Sequence, residues 1–593
     1  MSKASQAFAN EKIATEIRKK ISTAYNWRDP LKQKWDRYYK LYRSYLEKKN
    51  YPWQSNIFVP YAFSTVETIV PRLVSNKPQI DVLPREKGDT DYAHVQSLLI
   101  DYQWDQMDME ALMPDMIRQF LIYGTSIMKV GWERIEEEVI EKVEIDPEFS
   151  ELGSEEIKVT KVTKNQPTVE LVDLYDFFWD PNGYSIDTCT WVAHRVYRSY
   201  DYLMAKQKQG IYKNINLLKP VSDKMYMDEN DKSERQGARD ISDPKGYSAG
   251  GANEKNIEVF EYWEDGKVVT LANRKFVIRE EKKNPNAHGK KPFIRVVDQS
   301  VPKEFCGIGE LEPIETLSYE LNDMRNQRMD NVSLIMNKMW ILDNAADVDE
   351  DELVSDVGGI IHTNDVNGVV PVQMQEVPHS SYKEETLIKG DIQQATGITD
   401  YTKGVASDAL ANETATGISL MQEAGSSRLR LKMMNVEEAV KQIGDFMISL
   451  NKQNITEDMV VRVTGDLGID WIDIKPEEIR DNFDVRVQSG STLEENDAIK
   501  RKQAMEMYQL FAGDPEVNQI ELKKRVFESR GEKNIDKLLN MQGDIAAGPQ
   551  GEQLGSLSNV PGGAAGLPGN SDKNAQGVIQ SANELNRGIK ETK

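Results

Sequence analysis

The stretch GVASDALANETATGISLMQEAGSSRLRLKMM, residues 404 to 434, indicates how the chain is organised. It begins with small and polar residues and then becomes an amphipathic helical pattern that continues through VEEAVKQIGDFMISLNKQ. The helical half carries Arg428, Arg430 and Lys432, although the chain as a whole is acidic. Asn412 belongs to the residue types that cap helix N-termini. The sequence therefore predicts a loose loop joined directly to a long helix.

Length and charge limit the functions open to the chain. Its 593 residues suggest about three to five domains. Hydrophobic and charged contents of 39% and 29% are ordinary for a globular protein, so most of the chain should fold. The 74 basic and 97 acidic residues give a net charge of −23, which argues against a surface that grips nucleic acid through many phosphates. Any contact with DNA must be local or weak.

The cysteines and the apolar runs limit where the protein works. Cys189 and Cys306 are the only cysteines, which excludes a disulfide scaffold and favours a reducing compartment. The N-terminal stretch MSKASQAFANEKIATEIRKK lacks an apolar signal core, and no stretch approaches the ~18 apolar residues of a membrane span. We expect a protein that neither follows the signal-peptide route nor crosses a membrane.

The first half of the chain changes from a helical to a β pattern. Residues 10 to 50 are predicted to form a helix rich in Tyr and Trp, which packs its aromatic face on the body or, as the alternative, stacks on bases. A second helix is predicted over residues 89 to 122. From Gly124 to about residue 300 strands predominate, with turns at EDG, residues 264 to 266, and at DPNG, residues 180 to 183. A polar insertion begins at Ser222.

The second half returns to a helical period over residues 307 to 340. An acidic run, DNAADVDEDELVSD, follows, and then a predicted β-hairpin in which GIIHT and VVPVQM flank Asn367 and Gly368. The helix SYKEETLIKGDIQQAT returns the chain to Gly397, and after the long helix strands resume at MVVRVTGD and FDVRVQSGS. From Gln542 the chain is glycine-rich and lacks aromatic residues, so it cannot bury enough apolar surface to order itself.

Catalytic motifs are scarce. The chain lacks a phosphate-binding P-loop, and GIGELE, residues 307 to 312, has Glu312 where a dinucleotide fingerprint needs its third glycine. We therefore interpret GIGELE as a turn that leads into a helix. The five histidines have no metal-ligand spacing, so we expect neither a metal nor a cofactor. Asp173, Asp176 and Asp180 could hold Mg²⁺ for nuclease chemistry, but the simpler interpretation is a strand end and a turn.

Several stretches, taken in order, resemble the portal proteins, or head-to-tail connectors, of tailed bacteriophages. The resemblance covers most of residues 30 to 540 and rests on PWQSNIFVPYAFSTVETIVPRL, LIYGTSIMKVGWE, DLYDFFWDP, GIGELEPIETLSYELNDMRNQRMDN, IQQATGITDYTKG and ETATGISLMQEAGSSRLRLKMMN. Each stretch alone has low specificity, whereas their succession is much more specific. The resemblance implies an α+β portal fold, with an αβ wing, a helical stem, a small αβ clip and a helical crown.

The resemblance also implies how these parts divide the chain. We expect an N-terminal wing over 1–305, a first stem helix over 306–340, the clip over 341–380, a second stem helix over 381–398, a channel loop over 399–413, a long wing helix with returning strands over 414–490, crown helices over 491–541 and a flexible glycine-rich tail over 542–593. Portals are rings, so the chain should form a homo-oligomer of about twelve copies, a dodecamer.

Candidate site residues follow from these parts. The residues expected to face DNA in the channel loop are Lys403, Gly404, Ser407, Asp408, Asn412, Glu413 and Thr414. Candidate phosphate contacts, for which pairing with nearby carboxylates is the alternative, are Arg428, Lys432, Arg325, Arg328 and Lys338. The docking face of the clip is expected to contain Asp343, Asp347, Asp349, Glu350, Asp351, Glu352, Asp356, Asn367 and Gly368.

The expected partners follow from the same resemblance. They are double-stranded DNA in the channel, the large terminase, neck and tail adaptor proteins, and capsid and scaffolding proteins, with no membrane. The protein would be assembled in the host cytoplasm and reside in the virion, at the portal vertex of the capsid. An acidic bore would repel DNA over a screened range of ~8 Å and let it slide. The alternatives are a metal-dependent nuclease and another virion protein, such as a neck adaptor or a scaffold.

Overall fold

The computed structural model describes residues 3–46, 49, 51–74, 77–78, 80–86, 89–144, 154–218, 256–337, 339–344, 347–353, 360–375, 378, 380–398, 415–456, 459–465, 468–479, 483–487, 497–512, 514 and 517–530. The chain divides into two compact units, Met1–Gln503 and Ala504–Lys593. The first unit contains every element that bears on the candidate site.

The helices of the first unit are α1 (Lys3–Tyr42), α2 (Tyr61–Leu73), α3 (Thr90–Gln106), α4 (Met109–Tyr123), α5 (Tyr200–Lys208), α6 (Glu315–Met336), α7 (Ser380–Thr396) and α8 (Ala415–Asn454). Helix α9 (Asp497–Phe511) begins in the first unit and ends in the second, which also contains α10 (Gln519–Glu528). The single helix predicted over residues 89 to 122 is two helices, because Asp108 adopts a left-handed conformation with φ of 53° between them.

The strands are β1 (Ile80–Pro84), β2 (Thr125–Glu144), β3 (Ser154–Val172), β4 (Phe177–Trp179), β5 (Trp191–Ser199), β6 (Asn256–Glu264), β7 (Lys267–Ala272), β8 (Phe276–Glu281), β9 (Phe293–Val297), β10 (Trp340–Leu342), β11 (Val369–Pro371), β12 (Met459–Gly465), β13 (Gly468–Ile474) and β14 (Phe483–Val487). A five-stranded antiparallel sheet has the order β4-β5-β6-β7-β8, and a three-stranded sheet has the order β3-β2-β9. Strand pairs β1-β14, β10-β11 and β12-β13 are also antiparallel.

The α+β fold class and the two turns predicted between Gly124 and residue 300 are confirmed. Glu264 pairs with Lys267 across the β6-β7 hairpin, and Gly266 takes the positive φ of 73° that this tight turn requires. At DPNG the Gly183 N–H donates to the Asp180 carbonyl at 2.9 Å, which closes a β-turn. These turns could be predicted because the residue types in each turn determine its backbone conformation.

The hairpin predicted between GIIHT and VVPVQM is wrong. Strand β11 pairs with β10, so that Trp340 lies opposite Pro371 and Leu342 opposite Val369. Asn367 and Gly368 lie in a short 3-10 turn before β11, where the Asp365 carboxylate accepts from the Asn367 N–H at 2.9 Å. The described residues 360 to 363 contain no strand. Asn367 and Gly368 do lie in a turn, but the strand that pairs with β11 is β10, which is earlier in the chain than GIIHT.

The largest core is crossed by α8. Its buried residues Met433, Val436, Val440, Ile443 and Met447 recur every three or four positions, as in an amphipathic helix with one packed face. Residues of α2, α4, β2 and β9 belong to the same core. Because full burial of such a side chain is worth ~1.5–3 kcal/mol, this face contributes much of the free energy that holds α8 in the core.

The aromatic residues of α1 pack on the body of the protein. Trp35 and Tyr38 are buried, and the Trp35 ring lies edge-on to Tyr175 with the ring centroids 5.6 Å apart. Arg28 is also buried and donates to the carbonyls of Leu174 and Phe177. The packing interpretation of this helix is therefore confirmed, and these two aromatic rings are not available to stack on bases.

Candidate functional site

Two glycine-containing stretches, LIYGTS and GIGELE, pack backbone to backbone, and we call this the glycine contact. A Cβ atom on Gly124 would lie 2.0 Å from the carbonyl oxygen of Gly307, and one on Gly309 would lie 2.7 Å from that of Leu121. The Glu310 N–H donates to the same Leu121 carbonyl at 2.8 Å. The glycines of GIGELE therefore allow a close approach of the protein's own main chain, as expected for a turn that leads into a helix.

The glycine contact brings three charged side chains together in what we call the ion triad. The Lys432 Nζ of α8 contacts the Asp298 carboxylate and lies 2.5 Å from Glu310 Oε1. All three side chains are buried. An ammonium group that is buried and paired with two carboxylates is not available to a phosphate, so the prediction that Lys432 contacts DNA is wrong. The alternative, pairing with neighbouring carboxylates, describes Lys432 correctly.

The ion triad has one ammonium group for two carboxylates. The pKa of Asp298 is raised to about 7, chiefly because the carboxyl group is buried; Lys432 opposes this shift and Glu310 adds to it. Burial lowers the pKa of Lys432, but the two carboxylates more than offset that effect, so its pKa is raised. Burial thus favours protonation of Asp298, whereas the two carboxylates favour the charged form of Lys432.

One turn further along α8, Asn435 fixes the helix to the end of β9. Its side-chain amide donates to the carbonyls of Val297 and Asp298 at 3.0 and 3.1 Å. The Asp298 N–H in turn donates to the Gly124 carbonyl at 3.1 Å. The long helix, the strand and the glycine contact are thus joined by polar bonds as well as by the apolar core.

Arg428 lies on α8 and caps the C-terminus of α7. Its Nη1 donates to the carbonyls of Gln394 and Ala395 at 3.2 and 3.4 Å. Gly397, with φ of 73°, ends α7, and its N–H donates to Gln393. A cation at this position also compensates the negative end of the helix dipole. Arg428 is nevertheless exposed, so a phosphate contact by this residue stays a prediction.

Helices α6 and α7 form an antiparallel pair held by Glu385. The Glu385 carboxylate contacts the buried Arg328, lies 3.7 Å from Arg325 and accepts from Lys389 at 2.6 Å. The Arg328 guanidinium also lies 4.7 Å from the centre of the Tyr382 ring. Arg328 therefore joins the two helices, and the prediction that it contacts a phosphate is wrong. Arg325 is exposed and stays a candidate, whereas Lys338 lies outside the described residues.

Helix α6 holds an extended segment from the N-terminal region through what we call the asparagine ladder. Asn322, Asn326 and Asp330, spaced four residues apart, accept from the backbone N–H groups of Val59, Ile57 and Ser55 at 2.7, 2.7 and 2.5 Å. The Asn326 amide also donates to the Ile57 carbonyl at 3.0 Å. The ladder joins two stretches that carried the resemblance, and it was not predicted. The sequence feature that could have indicated the ladder is the four-residue spacing of short polar side chains on a helix.

The acidic module between α6 and α7 exposes most of its predicted docking residues. The exposed members are Asp343, Asp347, Asp349, Glu350, Asp351 and Asn367. Glu352 is partly buried and accepts from the His362 N–H at 2.7 Å, and Gly368 is buried, with its carbonyl accepting from the Asp343 N–H. Asp356 lies outside the described residues. Ile341, Ile360 and Val366 are also exposed, so the surface of the module is both acidic and apolar.

The predicted channel loop falls outside the described residues. This applies to Lys403, Gly404, Ser407, Asp408, Asn412, Glu413 and Thr414. The structure describes what precedes and follows the loop. Ile398, the last described residue before it, is buried in the main core, and α8 begins at Ala415. The loop predicted from sequence thus stands between two elements that Arg428 joins.

The three aspartates considered for nuclease chemistry have structural roles. Asp173 accepts from the Tyr175 N–H, Asp176 pairs with the buried Arg195 at 2.8 Å, and Asp180 accepts from Asn182 and from the Thr190 hydroxyl. Each carboxylate has its own partner, as expected for a strand end and a turn. In the described part of the chain, no group of three or more His, Cys, Asp or Glu side chains could hold a metal ion.

Comparison with known families identifies the class of protein to which this arrangement belongs. A family model described as phage SU10 portal protein matches residues 13–556. The chain therefore belongs to the phage SU10 portal protein family, and the predicted resemblance to tailed-phage portal proteins is confirmed. No curated protein matches the chain. Over the described residues, no helix is both long and apolar enough to cross a membrane.

Proposed function

We propose that copies of this chain close head to tail into a ring around double-stranded DNA, at one vertex of a phage capsid. In this proposal the ring, a dodecamer, is a conduit without catalytic activity. It nucleates the procapsid together with scaffolding and capsid proteins in the host cytoplasm. It then passes the genome inward, retains it and releases it on ejection.

The observation that supports the proposal best is the order of elements around the α6-α7 pair. Two helices form a hairpin-like pair with a small two-stranded module at one end, and a long helix that crosses the main core follows. In the portal assignment α6 and α7 are the stem, the module with β10 and β11 is the clip, and α8 is the long wing helix. The earlier elements form the wing, and α9 and α10 belong to the crown.

The surface of the stem pair supports association between copies. Exposed apolar side chains on these two helices are Met329, Val332, Met336, Tyr382 and Leu387. A row of apolar side chains on a helix pair of a water-soluble assembly needs a cover, and in a ring each stem covers the next. Because the interface is heterologous, the same two surfaces recur at every contact around the ring.

The net charge of the chain supports a ring through which DNA slides, as opposed to one that binds DNA tightly. With a net charge of −23, a bore built from many copies repels phosphates overall. Arg325, on the first stem helix, and Arg428, at the end of the second, are exposed cations and provide local, weak contacts to the duplex backbone. The channel loop, residues 399 to 413 with Thr414, would lie at the narrowest part of the bore and face the DNA.

The clip supports successive docking of two kinds of partner. Its exposed acidic side chains and neighbouring apolar side chains form one mixed surface. We assign this surface first to the large terminase, the ATPase that drives packaging, and then to neck and tail adaptor proteins. Mixed charged and apolar surfaces suit partners that exchange, because charge complementarity speeds association without requiring a large buried area.

Electron microscopy of the purified full-length chain tests the conduit directly. Class averages are expected to show closed rings with a central hole wide enough for a double helix, and multi-angle scattering should give a mass close to an integer multiple of 67.5 kDa. A preparation that contains only monomers, or rings that are solid at the centre, would overturn the proposal.

Deletion of residues 404 to 411 tests the channel loop separately. The deletion is expected to leave ring assembly intact but to impair packaging or retention of DNA, because the segment lies between α7 and α8 and outside the packed elements that the structure describes. A matched deletion of the same length within the polar stretch that begins at Ser222 should not affect packaging. Misassembled rings from the loop deletion would show that the segment is structural.

A further inference from the structure

A polar cleft lies between the C-terminal half of α8 and the segment that leads into β9, and we call it the arginine cleft. Its lining residues fall within 185–187, 290–295 and 438–446, and its volume is about 340 Å³. This volume is at the small end of the range for ligand sites, roughly 300–1,000 Å³. The ion triad lies outside the cleft. The arginine cleft is therefore a second place on α8 where charged side chains meet.

The lysines that line the cleft have carboxylate neighbours. The Lys291 Nζ is buried and lies 2.7 Å from Asp265 Oδ1. Burial raises the pKa of Asp445, whereas Lys441 and Lys290 act in the opposite direction because both ammonium groups lie near this carboxylate. The positive charges of these three lysines are therefore matched within the protein.

Arg295, on β9, differs from these lysines. It is partly buried, its Nη1 donates to the Phe305 carbonyl at 2.6 Å, and its guanidinium lies 5.5 Å from the centre of the Phe305 ring. Burial lowers the pKa of Arg295, and the groups that oppose this shift are the thiols of Cys306 and Cys189. Within the described part of the chain, Arg295 forms no ion pair with a carboxylate. The cleft therefore contains an unmatched positive charge.

This charge defines the kind of ligand that the cleft suits. Removing a guanidinium from water without a counter-ion is costly, and an anion in the cleft would restore the balance of charge. A guanidinium carries five N–H donors, of which the Phe305 carbonyl takes one here. Its planar fork pairs with two oxygen atoms of a single phosphate or carboxylate group. The matching ligand is therefore an oxyanion.

The walls of the cleft favour a compact ligand. The Phe446 ring, which lines the cleft, already stacks on the His288 imidazole with the ring centroids 4.4 Å apart, so one of its faces is not available to a nucleobase. Asp187, Glu438 and Asp445 also line the cleft and are exposed. These carboxylates would repel the many phosphates of a DNA duplex more strongly than a single small anion. A small free oxyanion fits the cleft better than DNA does.

We propose that the arginine cleft binds a small oxyanion of the phosphate class, with Arg295 as the main residue that holds it. The bound anion would link β9, through Arg295, to α8, through the side-chain amide of Gln442, which also lines the cleft. Because β9 and α8 belong to the same subunit, this site does not depend on the proposed ring and goes beyond it. A ligand that binds the folded chain and not the unfolded chain raises the melting temperature.

Titration of the full-length protein with inorganic phosphate tests the site. In phosphate-free buffer, added sodium phosphate should raise the melting temperature saturably and bind in calorimetry with a dissociation constant of roughly 1 mM, as expected for a few charge-assisted hydrogen bonds. Sodium chloride at the same ionic strength should do neither. Absence of a saturable effect of phosphate would overturn the proposal. Displacement of phosphate by a short DNA duplex would assign the cleft to the DNA backbone and refute a free oxyanion.

Two variants locate the binding. Arg295→Met should abolish the response to phosphate. Gln442→Glu keeps Arg295 but adds a carboxylate to the lining, and it should weaken phosphate binding roughly tenfold. Gln33→Glu is the matched control, because Gln33 on α1 and Gln442 on α8 each donate to a carboxylate four residues earlier, at 3.1 and 3.0 Å. Equal phosphate affinities of Gln442→Glu and this control would refute the site, even if Arg295→Met fails to fold.

Discussion

Replacing Lys432 by methionine tests the ion triad. Methionine keeps the length and most of the volume of lysine but removes the ammonium group, so Asp298 and Glu310 stay buried without their shared counter-ion. Among the described residues, the buried Asp298 Oδ2 atom has no hydrogen-bond partner, and Glu310 keeps a 3.5 Å contact from Gln299. Removal of one partner from a buried pair costs ~3–5 kcal/mol, and we expect a loss in this range at pH 8.

The destabilisation by Lys432→Met should depend on pH. The pKa of Asp298 is raised in the folded protein to about 7, so the folded state binds more protons than the unfolded state between the usual aspartate pKa and about 7. The wild-type contribution of this group to stability therefore falls as the pH rises through that window. Lys432 lowers the Asp298 pKa, so in its absence this pKa is higher and the fall in stability with rising pH is larger. The Lys432→Met penalty should consequently be smaller at pH 5 than at pH 8.

Urea unfolding followed by tryptophan fluorescence at both pH values measures the penalty. Lys441→Met is the matched control, because Lys441 lies on the same helix with its side chain 46% exposed and its Nζ 4.0 Å from the Glu438 carboxylate. Such a surface change is expected to stay within ~0.5 kcal/mol of the wild type. Equal unfolding midpoints for Lys432→Met and the control, or a larger penalty at pH 5, would refute the role assigned to the triad.

Three further variants probe neighbouring features. Gly309→Ala places a Cβ atom 2.7 Å from the Leu121 carbonyl and should lower the melting temperature by several degrees, whereas Gly390→Ala in α7 meets nothing within 4 Å and should be neutral or stabilising. Arg428→Gln should speed hydrogen exchange of the last turn of α7 by roughly 2- to 30-fold, because a cation at a helix C-terminus is worth ~0.3–2 kcal/mol. The control Arg430→Gln, at an exposed residue, should leave this exchange rate unchanged. Burial lowers the pKa of His194 to about 4. The contribution of this histidine to stability is therefore present above its usual pKa and is lost as the pH falls. His194→Gln should flatten the decline in melting temperature between pH 6.5 and 4.

Local patterns in the sequence predicted much of the fold. The helical period of α8, the strands between Thr125 and Val297 and the two turns depend on residues close together in the chain, and they were predicted correctly. The pairing of β1 with β14 was not predicted, because it joins Ile80 to Val487 across about four hundred residues. A strand of five residues has no local feature that identifies such a distant partner. The same limit explains the error at β11, whose turn was identified but whose partner strand was not.

The candidate site shows the same division. The family could be recognised from the succession of short stretches of sequence. The roles of individual cations could not, because Arg328 and Lys432 depend on carboxylates that other elements supply, namely Glu385 on α7 and Asp298 after β9. A basic residue on a helix is equally compatible with a phosphate and with an internal partner until its neighbours in space are known.

The asparagine ladder has a consequence for how this region can vary among related viruses. Its three side chains on α6 accept from the main-chain N–H groups of Ser55, Ile57 and Val59, so these bonds do not depend on which side chain each of those residues carries. Proline is the exception at Ser55, Ile57 and Val59, since it would remove an N–H donor. Substitutions of the exposed Ile57 should therefore be tolerated better than substitutions of the buried Asn322 and Asn326 on α6.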